Sequence, residues 1–447
     1  MIRIFVFVFV ILCVSACSDE HGNEREFPQK PLSILKSDTI DFCASDFSVG
    51  FSLFRHKACS YVAYYDTNHV MTVASKGDGE MKWKYHKINE IVGYDSHNYV
   101  TLVLDEEGYI HLSGNIHSEP LKYFRSVVPY DIESLKTEGM VGDVAEQKAT
   151  YPIFLQSPEN LIFHFRDGWS GNGVEVFNIY NPKTKQWRRM MDEPLLDGAG
   201  QSNAYIIGPE IGPDGKYHMM WMWRDTPDCI SNHGVYYACS NDLLVWKSMN
   251  GYEKTVPITL EDEEFIVDDV KVNSGLINMG FSMGFAEDDA SPLLVWHKYD
   301  DLGATNIFVA TSNEGTWKIQ QVTHWNWRWE FSGTGSISNQ LQFYPPTAHN
   351  GVLHLYYNRE FRGFHELSFD VFSGKILSDE KYVRYPEEVD IFRSTYPDLV
   401  VQKVFAEGEK DMSGVQYLLR YEQLGPNRDQ STEQHPPHST LELISFN

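Results

Sequence analysis

Between residues 97 and 173 the chain carries the side chains needed to remove a proton from a carbon beside a carboxylate. His97 and His117 lead, the second closing the run Gly108-Tyr-Ile-His-Leu-Ser-Gly-Asn-Ile-His117. Tyr151 follows within Thr150-Tyr-Pro152, and Arg166 within Phe163-His-Phe-Arg-Asp-Gly-Trp-Ser-Gly-Asn-Gly173. A carbon acid next to a charged carboxylate is very weak, so a site that deprotonates it must neutralise that carboxylate and stabilise the developing enediolate. Arginine suits the first task because its planar fork grips a carboxylate and stays protonated. Histidine, and a tyrosine beside cations, can be tuned to give and take protons near neutrality. The expected chemistry is β-elimination at a uronic acid, a lyase reaction on a polysaccharide.

The elements that must position these groups are strands. From about residue 45 onward, short runs rich in Tyr, Val, Ile, Phe and Trp alternate with Gly, Asp, Asn and Pro turns, and almost no stretch has helical period. One unit recurs at Tyr64–Ser75, Val235–Trp246 and Ile307–Trp317. A second, a turn feeding a strand with an early His, recurs at Asp105–His111, Pro213–His218 and Asn350–His354. Repeated hairpins too small to bury their own faces imply blades around a channel. The fold class expected is all-β, a seven-bladed β-propeller, with the final strand Thr440–Phe446 closing the ring beside an N-terminal strand. His111, His164, His218 and His354 are read as structural, and Gly168–Gly173 as a tight turn, because no helix follows to supply a phosphate site.

The chain has 447 residues, 14% aromatic and 42% apolar, with no internal linker-like stretch, so one large catalytic domain over residues 40–447 is expected. Its net charge of −25 argues against nucleic acid as a partner. Long-range repulsion of an anionic polysaccharide is screened beyond roughly 8 Å in ordinary salt, so a few well-placed arginines in the cleft suffice. Residues 1–16, with Arg3 before the apolar run Ile4–Ala16, read as a secretory signal too short to span a bilayer. Val14-Ser-Ala-Cys17 resembles a bacterial lipobox, which would make Cys17 a lipid anchor at the outer membrane or cell surface. The alternative is a plain signal with an incidental Cys17. Residues 17–39 read as a polar tether. In an exported protein Cys43 and Cys59 are candidates for a disulfide.

The segments Asp105–His117, Pro120–Ser126, Thr150–Pro152, Phe165–Gly173, Asn203-Ala-Tyr205 and Trp223-Arg-Asp-Thr-Pro-Asp228 resemble the BNR-repeat polysaccharide lyases, in particular ulvan lyases of families 24 and 25. The turn Ser312-Asn-Glu-Gly-Thr-Trp317 likewise resembles a degenerate Asp-box. The lyase resemblance covers about residues 90–250 well and implies cleavage of a sulfated rhamnose–uronate polymer. Carried over, it makes His97 and His117 the paired imidazoles, Tyr151 the base or acid, and Arg166 the carboxylate neutraliser. Tyr205, Arg224 and Arg125 would contact substrate. Tyr151 on one side of the sugar and an imidazole on the other could serve both glucuronate and iduronate, whose C5 hydrogens lie on opposite faces.

The resemblance also implies one structural Zn2+, for which Cys229, His233, Cys239 and His297 are residues of the right type. Their spacing matches no compact finger, and a disulfide or two buried free thiols is the competing reading. Two other functions stay open: a propeller glycoside hydrolase, for which Asp167, Glu210, Asp225 and Asp228 are available acids, and a non-catalytic carbohydrate-binding surface lipoprotein.

Overall fold

Strand after strand in this chain is buried along its whole length rather than on alternate residues. In Tyr217–Arg224 every residue after the first is buried, and Trp221, Trp223, Trp246 and Trp296 are shut off from solvent. A sheet covered on both faces calls for such unbroken apolar runs. The computed structural model describes residues 32–447 apart from 157–159 and 412. The chain divides into two units, Met1–Pro31 and Leu32–Asn447, and the architecture below is that of the second. The signal, Cys17 and most of the tether lie outside the described residues.

The described residues form an all-β fold. Its only helical elements are short 3-10 turns. Antiparallel runs follow in chain order. Ser52–His56, Cys59–Tyr65, Val70–Gly77 and Lys84–Ile91 pair in sequence, then Val100–Leu104, Ile110–Gly114, Tyr123–Ser126 and Leu135–Glu138. Ala149–Gln156, Leu161–Trp169, Asn172–Asn181 and Gln186–Arg189 make the next, and Asn203–Ile211, Tyr217–Arg224, Asn232–Ser240 and Val245–Lys247 the one after. A nine-stranded sheet holds two further antiparallel runs, joined where Phe281–Ala286 lies parallel to Thr347–His349.

The last sheet unites the chain ends. Ile34–Cys43 pairs antiparallel with Ser439–Phe446, which continues through Gln416–Leu424 to Leu399–Phe405. The pairing of the final strand with an N-terminal one agrees with expectation, but the tether does not run to residue 39. Its end is an edge strand in which Lys36, Ser37 and Thr39 are exposed while Ile40 and Cys43 are buried.

The histidine-bearing turns are internal staples. His111 bonds the Tyr123 hydroxyl (2.7 Å) and approaches Asp105, while His218 bonds the Tyr237 hydroxyl (2.7 Å) and Asp214 (2.9 Å). Each joins a turn acid to the neighbouring strand, so a buried ring has both nitrogens satisfied. His164 bonds Glu175 and His354 bonds Glu366, in keeping with structural roles. Cys43 and Cys59 are free thiols, not a bridge: Cys43 is buried and its Sγ donates to the Ser439 carbonyl.

Candidate active site

The two histidines meet through Asp95, a residue sequence reasoning passed over although it stands two positions before His97. Asp95 caps the short turn Ser96–Asn98: its Oδ1 accepts from the His97 backbone N–H (2.9 Å) and bonds the His97 Nδ1 (2.7 Å). Its Oδ2 bonds the Nδ1 of His117, which opens the strand His117–Glu119. The imidazoles stack 4.2 Å apart, and His97 also lies 3.5 Å from Asp429, contributed by the far end of the chain. Burial alone would push the Asp95 carboxyl up, but the bonds from His117 and His97 outweigh it and hold the carboxyl well below its usual range. A carboxylate only accepts, so both rings present Nδ1–H to it, which in the neutral tautomer places the lone pair on Nε2. Their side chains are 21% and 32% exposed, enough for a substrate to reach.

Tyr151 stands 5.5 Å from the His97 ring, aimed by an irregular backbone. Its φ is +59°, left-handed for a residue before proline, and the pairing register shifts between Thr150 and Ile153. Such bulges re-aim side chains and cost about 1–3 kcal/mol of local strain.

Arg166 lies on the neighbouring strand with its guanidinium 4.9 Å over the Tyr151 ring. It is only 1% exposed, and none of its three side-chain nitrogens has a hydrogen-bond partner. Its stem passes so close to Gly173 that a Cβ there would lie 3.0 Å from Cγ and Cδ. A buried unpaired cation is expensive to maintain, and an incoming anion would relieve it.

Tyr205 and Arg224 complete the wall. Arg224 Nη1 donates to the Tyr205 hydroxyl (2.9 Å), while Asn232 and Asn278 accept from its other nitrogens (2.9 and 2.7 Å). Ser170, at the tip of the Gly168–Gly173 hairpin, also reaches the Tyr205 hydroxyl (3.2 Å). That segment is the tight turn expected, with no helix after it. Tyr151 and Tyr205 pack edge to face at 6.0 Å. Burial pushes the Tyr151 phenol well above its ordinary value. For Tyr205 burial acts the same way, but Arg224 and then Arg166 prevail and its phenol is lowered. Of the two, Tyr205 is the more readily ionised and Tyr151 rests as a proton donor.

The structure thus gathers His97, His117, Tyr151, Arg166, Tyr205 and Arg224. Arg125 belongs elsewhere: it forks onto Glu138 with two bonds of 2.9 Å, a pairing that fixes adjacent strands rather than a substrate.

The four expected zinc ligands do not assemble. His233 and Cys239 sit near opposite ends of Asn232–Ser240, separated by about 20 Å of strand, whereas ligands of one tetrahedral ion must converge. His233 bonds Asp225, Cys229 and Cys239 are free thiols, and burial pushes the His297 imidazole down to about 3. Among the described residues the one group placed to share a cation is Asp95, His97 and His117. Sequence reasoning also missed Asn278 and Asp429, which carry no local signal.

Residues 59–325 match the model of a family described as BNR repeat-containing family members. No curated protein matches the chain. The crystal structure of the polysaccharide lyase Uly1 aligns with a TM-score of 0.59 at 15% identity, over 89% of this chain and 89% of that one. A PL25 ulvan lyase bound to -[GlcA(1-4)Rha3S]- aligns with a TM-score of 0.60 at 13% identity, over 91% of this chain and 95% of that one. At these identities the likeness is one of fold.

Proposed function

The chain belongs to the BNR repeat-containing family, and from that premise we propose that it is a polysaccharide lyase cleaving an ulvan-type, sulfated rhamnose–uronate polymer by β-elimination. The observation that carries this reading is Arg166, buried and unbonded over the ring of Tyr151, which in turn stands 5.5 Å from His97, so that a uronate carboxylate would neutralise it. An imidazole Nε2 takes the C5 proton, and the released electron pair forms the C4–C5 double bond. The C4–O bond breaks, and Tyr151 protonates the departing oxygen. Arg166 holds the carboxylate through the enediolate. Where the C5 hydrogen lies on the tyrosine side, ionised Tyr205 can recharge Tyr151 as base. Two of the four acids open to a hydrolase are committed elsewhere: Asp225 bonds His233 and Asp228 caps Cys229–Ser231.

The propeller reading rests on the sheet arrangement. Six sheets, one of them holding two antiparallel runs, and the pairing of Ile34–Cys43 with Ser439–Phe446 support a reading of seven blades in a closed ring. For export we retain the lipobox reading: Cys17→Ser should release the protein from the detergent phase, and a wild-type protein without lipid would refute it.

The test of function is ultraviolet absorbance on adding a panel of uronate polysaccharides. A lyase creates a conjugated unsaturated uronate that absorbs, and reducing ends released without that absorbance would make the protein a hydrolase instead.

A further inference from the structure

In a chain with 62 acids and 37 lysines and arginines, a buried guanidinium nitrogen without a partner is notable. Among the described residues, unbonded buried guanidinium nitrogens occur only in Arg166, Arg359 and Arg420. Arg420 is ion-paired to Glu422 and Glu442. Arg166 is the proposed carboxylate site. Arg359 is left.

Arg359 ends the strand Val352–Arg359, opposite Leu341 in register. Its guanidinium carbon lies 4.5 Å from the Trp325 ring centroid and 4.4 Å from that of Trp327, so two indoles flank it. No side-chain hydrogen bond or ion pair engages it among the described residues, and its Nε is buried. Both tryptophans are only partly buried, on an irregular segment fixed through its backbone: Asn306 accepts from the Trp325 N–H (2.7 Å), and Trp327 O accepts from Thr305 N–H (2.8 Å). The segment then runs toward His97. Asp228 accepts from Gly333 N–H (2.7 Å), and Asp429, the neighbour of His97, accepts from Ser336 N–H (2.9 Å).

Aromatic flanks fix the orientation of a planar guanidinium and leave its edge for an oxyanion, while an indole face suits the ring of a sugar. We propose that Arg359 with Trp325 and Trp327 is a second anion-binding subsite for the polysaccharide, gripping a sulfate or carboxylate of a sugar unit outside the cleavage pocket. This rests on the reading of the substrate as an anionic polysaccharide. The shared chemistry is an oxyanion on a pyranose chain.

The experiment has a binding arm and a turnover arm. In affinity electrophoresis through ulvan, Arg359→Ala should weaken retardation roughly tenfold in apparent affinity, the worth of one charged contact. In turnover, KM for long polymer should rise by a similar factor while kcat holds, and the effect should vanish on an oligosaccharide too short to leave the cleavage pocket. Arg359→Gln serves if the alanine variant melts early. Desulfated and carboxyl-reduced polymers identify the anion: the form on which wild type and variant converge has lost the group that Arg359 grips. Equal retardation of a folded variant and wild type would overturn the subsite, as would a penalty persisting on polymer stripped of both anions. If binding depends on Arg359 but wild type yields no unsaturated product, the subsite stands and the lyase reading falls.

Discussion

Arg224 donates to the Tyr205 hydroxyl at 2.9 Å while Asn232 and Asn278 fix its remaining nitrogens, so a cation is locked onto a buried phenol. Burial alone would raise that phenol, and the arginines reverse the sign. A neighbouring cation favours the charged, deprotonated form. Replacing Arg224 with Met removes it, so the phenol must titrate at higher pH. Where ionised Tyr205 recharges the base, the ascending limb of the pH–kcat/KM profile should move alkaline by about one unit or more. An unmoved limb at reduced rate would show that Arg224 only binds substrate.

Arg166 should separate stability from activity. It is a buried cation with no hydrogen-bond partner in the free protein, so Arg166→Met should leave the melting temperature unchanged or raise it, by about 1 °C per kcal/mol for a domain of this size. Turnover should nearly vanish. Arg166→Lys keeps charge but loses the fork, costing roughly 2–4 kcal/mol of barrier, about thirty- to a thousand-fold in rate. A strongly destabilised Arg166→Met would mean that the guanidinium supports the fold rather than awaiting a carboxylate.

Metal binding should follow geometry rather than residue type. His233→Ala and Cys239→Ser should leave bound zinc unchanged, because about 20 Å of strand separates them. Added zinc should instead inhibit, since Asp95, His97 and His117 converge, and a chelator should restore the rate. Loss of a stoichiometric zinc in Cys239→Ser, measured by elemental analysis, would contradict this.

How much of the site the sequence discloses depends on how far each contact reaches along the chain. His97, His117, Tyr151 and Arg166 stood out as a set by residue type and by the family resemblance, and short apolar runs mark the strands bearing Tyr151 and Arg166, whereas His97 sits on a turn. Arg125 looks the same in sequence as Arg224. What distinguishes them is Glu138 facing the first across a strand pair, which only register reveals. Asp429 was illegible because it meets Ser96 and His97 by closure of the chain ends, with no local pattern to mark it. Residues 34–39 read as tether because the run Lys36-Ser-Asp-Thr39 is polar and lies exposed or half-exposed at a sheet edge, with no buried apolar period to mark a strand.

Asp95 offers the sharpest separation of positioning from chemistry. It touches no substrate in the proposed reaction, yet its two oxygens accept from both imidazoles and so set which nitrogen of each ring carries the lone pair. Asp95→Asn is nearly isosteric but cannot accept from both Nδ1–H groups, so at least one ring should turn or change tautomer. In a catalytic triad the comparable change costs about 10⁴-fold in kcat with geometry intact. Here a loss of about 10²- to 10⁴-fold in kcat is expected, with KM little changed because Arg166 and Arg224 still hold the substrate. The melting temperature should stay within a few degrees, since the cap over Ser96–Asn98 survives with an asparagine oxygen. Imidazole NMR should show the altered tautomer directly. An Asp95→Asn enzyme with near wild-type kcat and unchanged imidazole resonances would show that the histidines do not depend on this carboxylate.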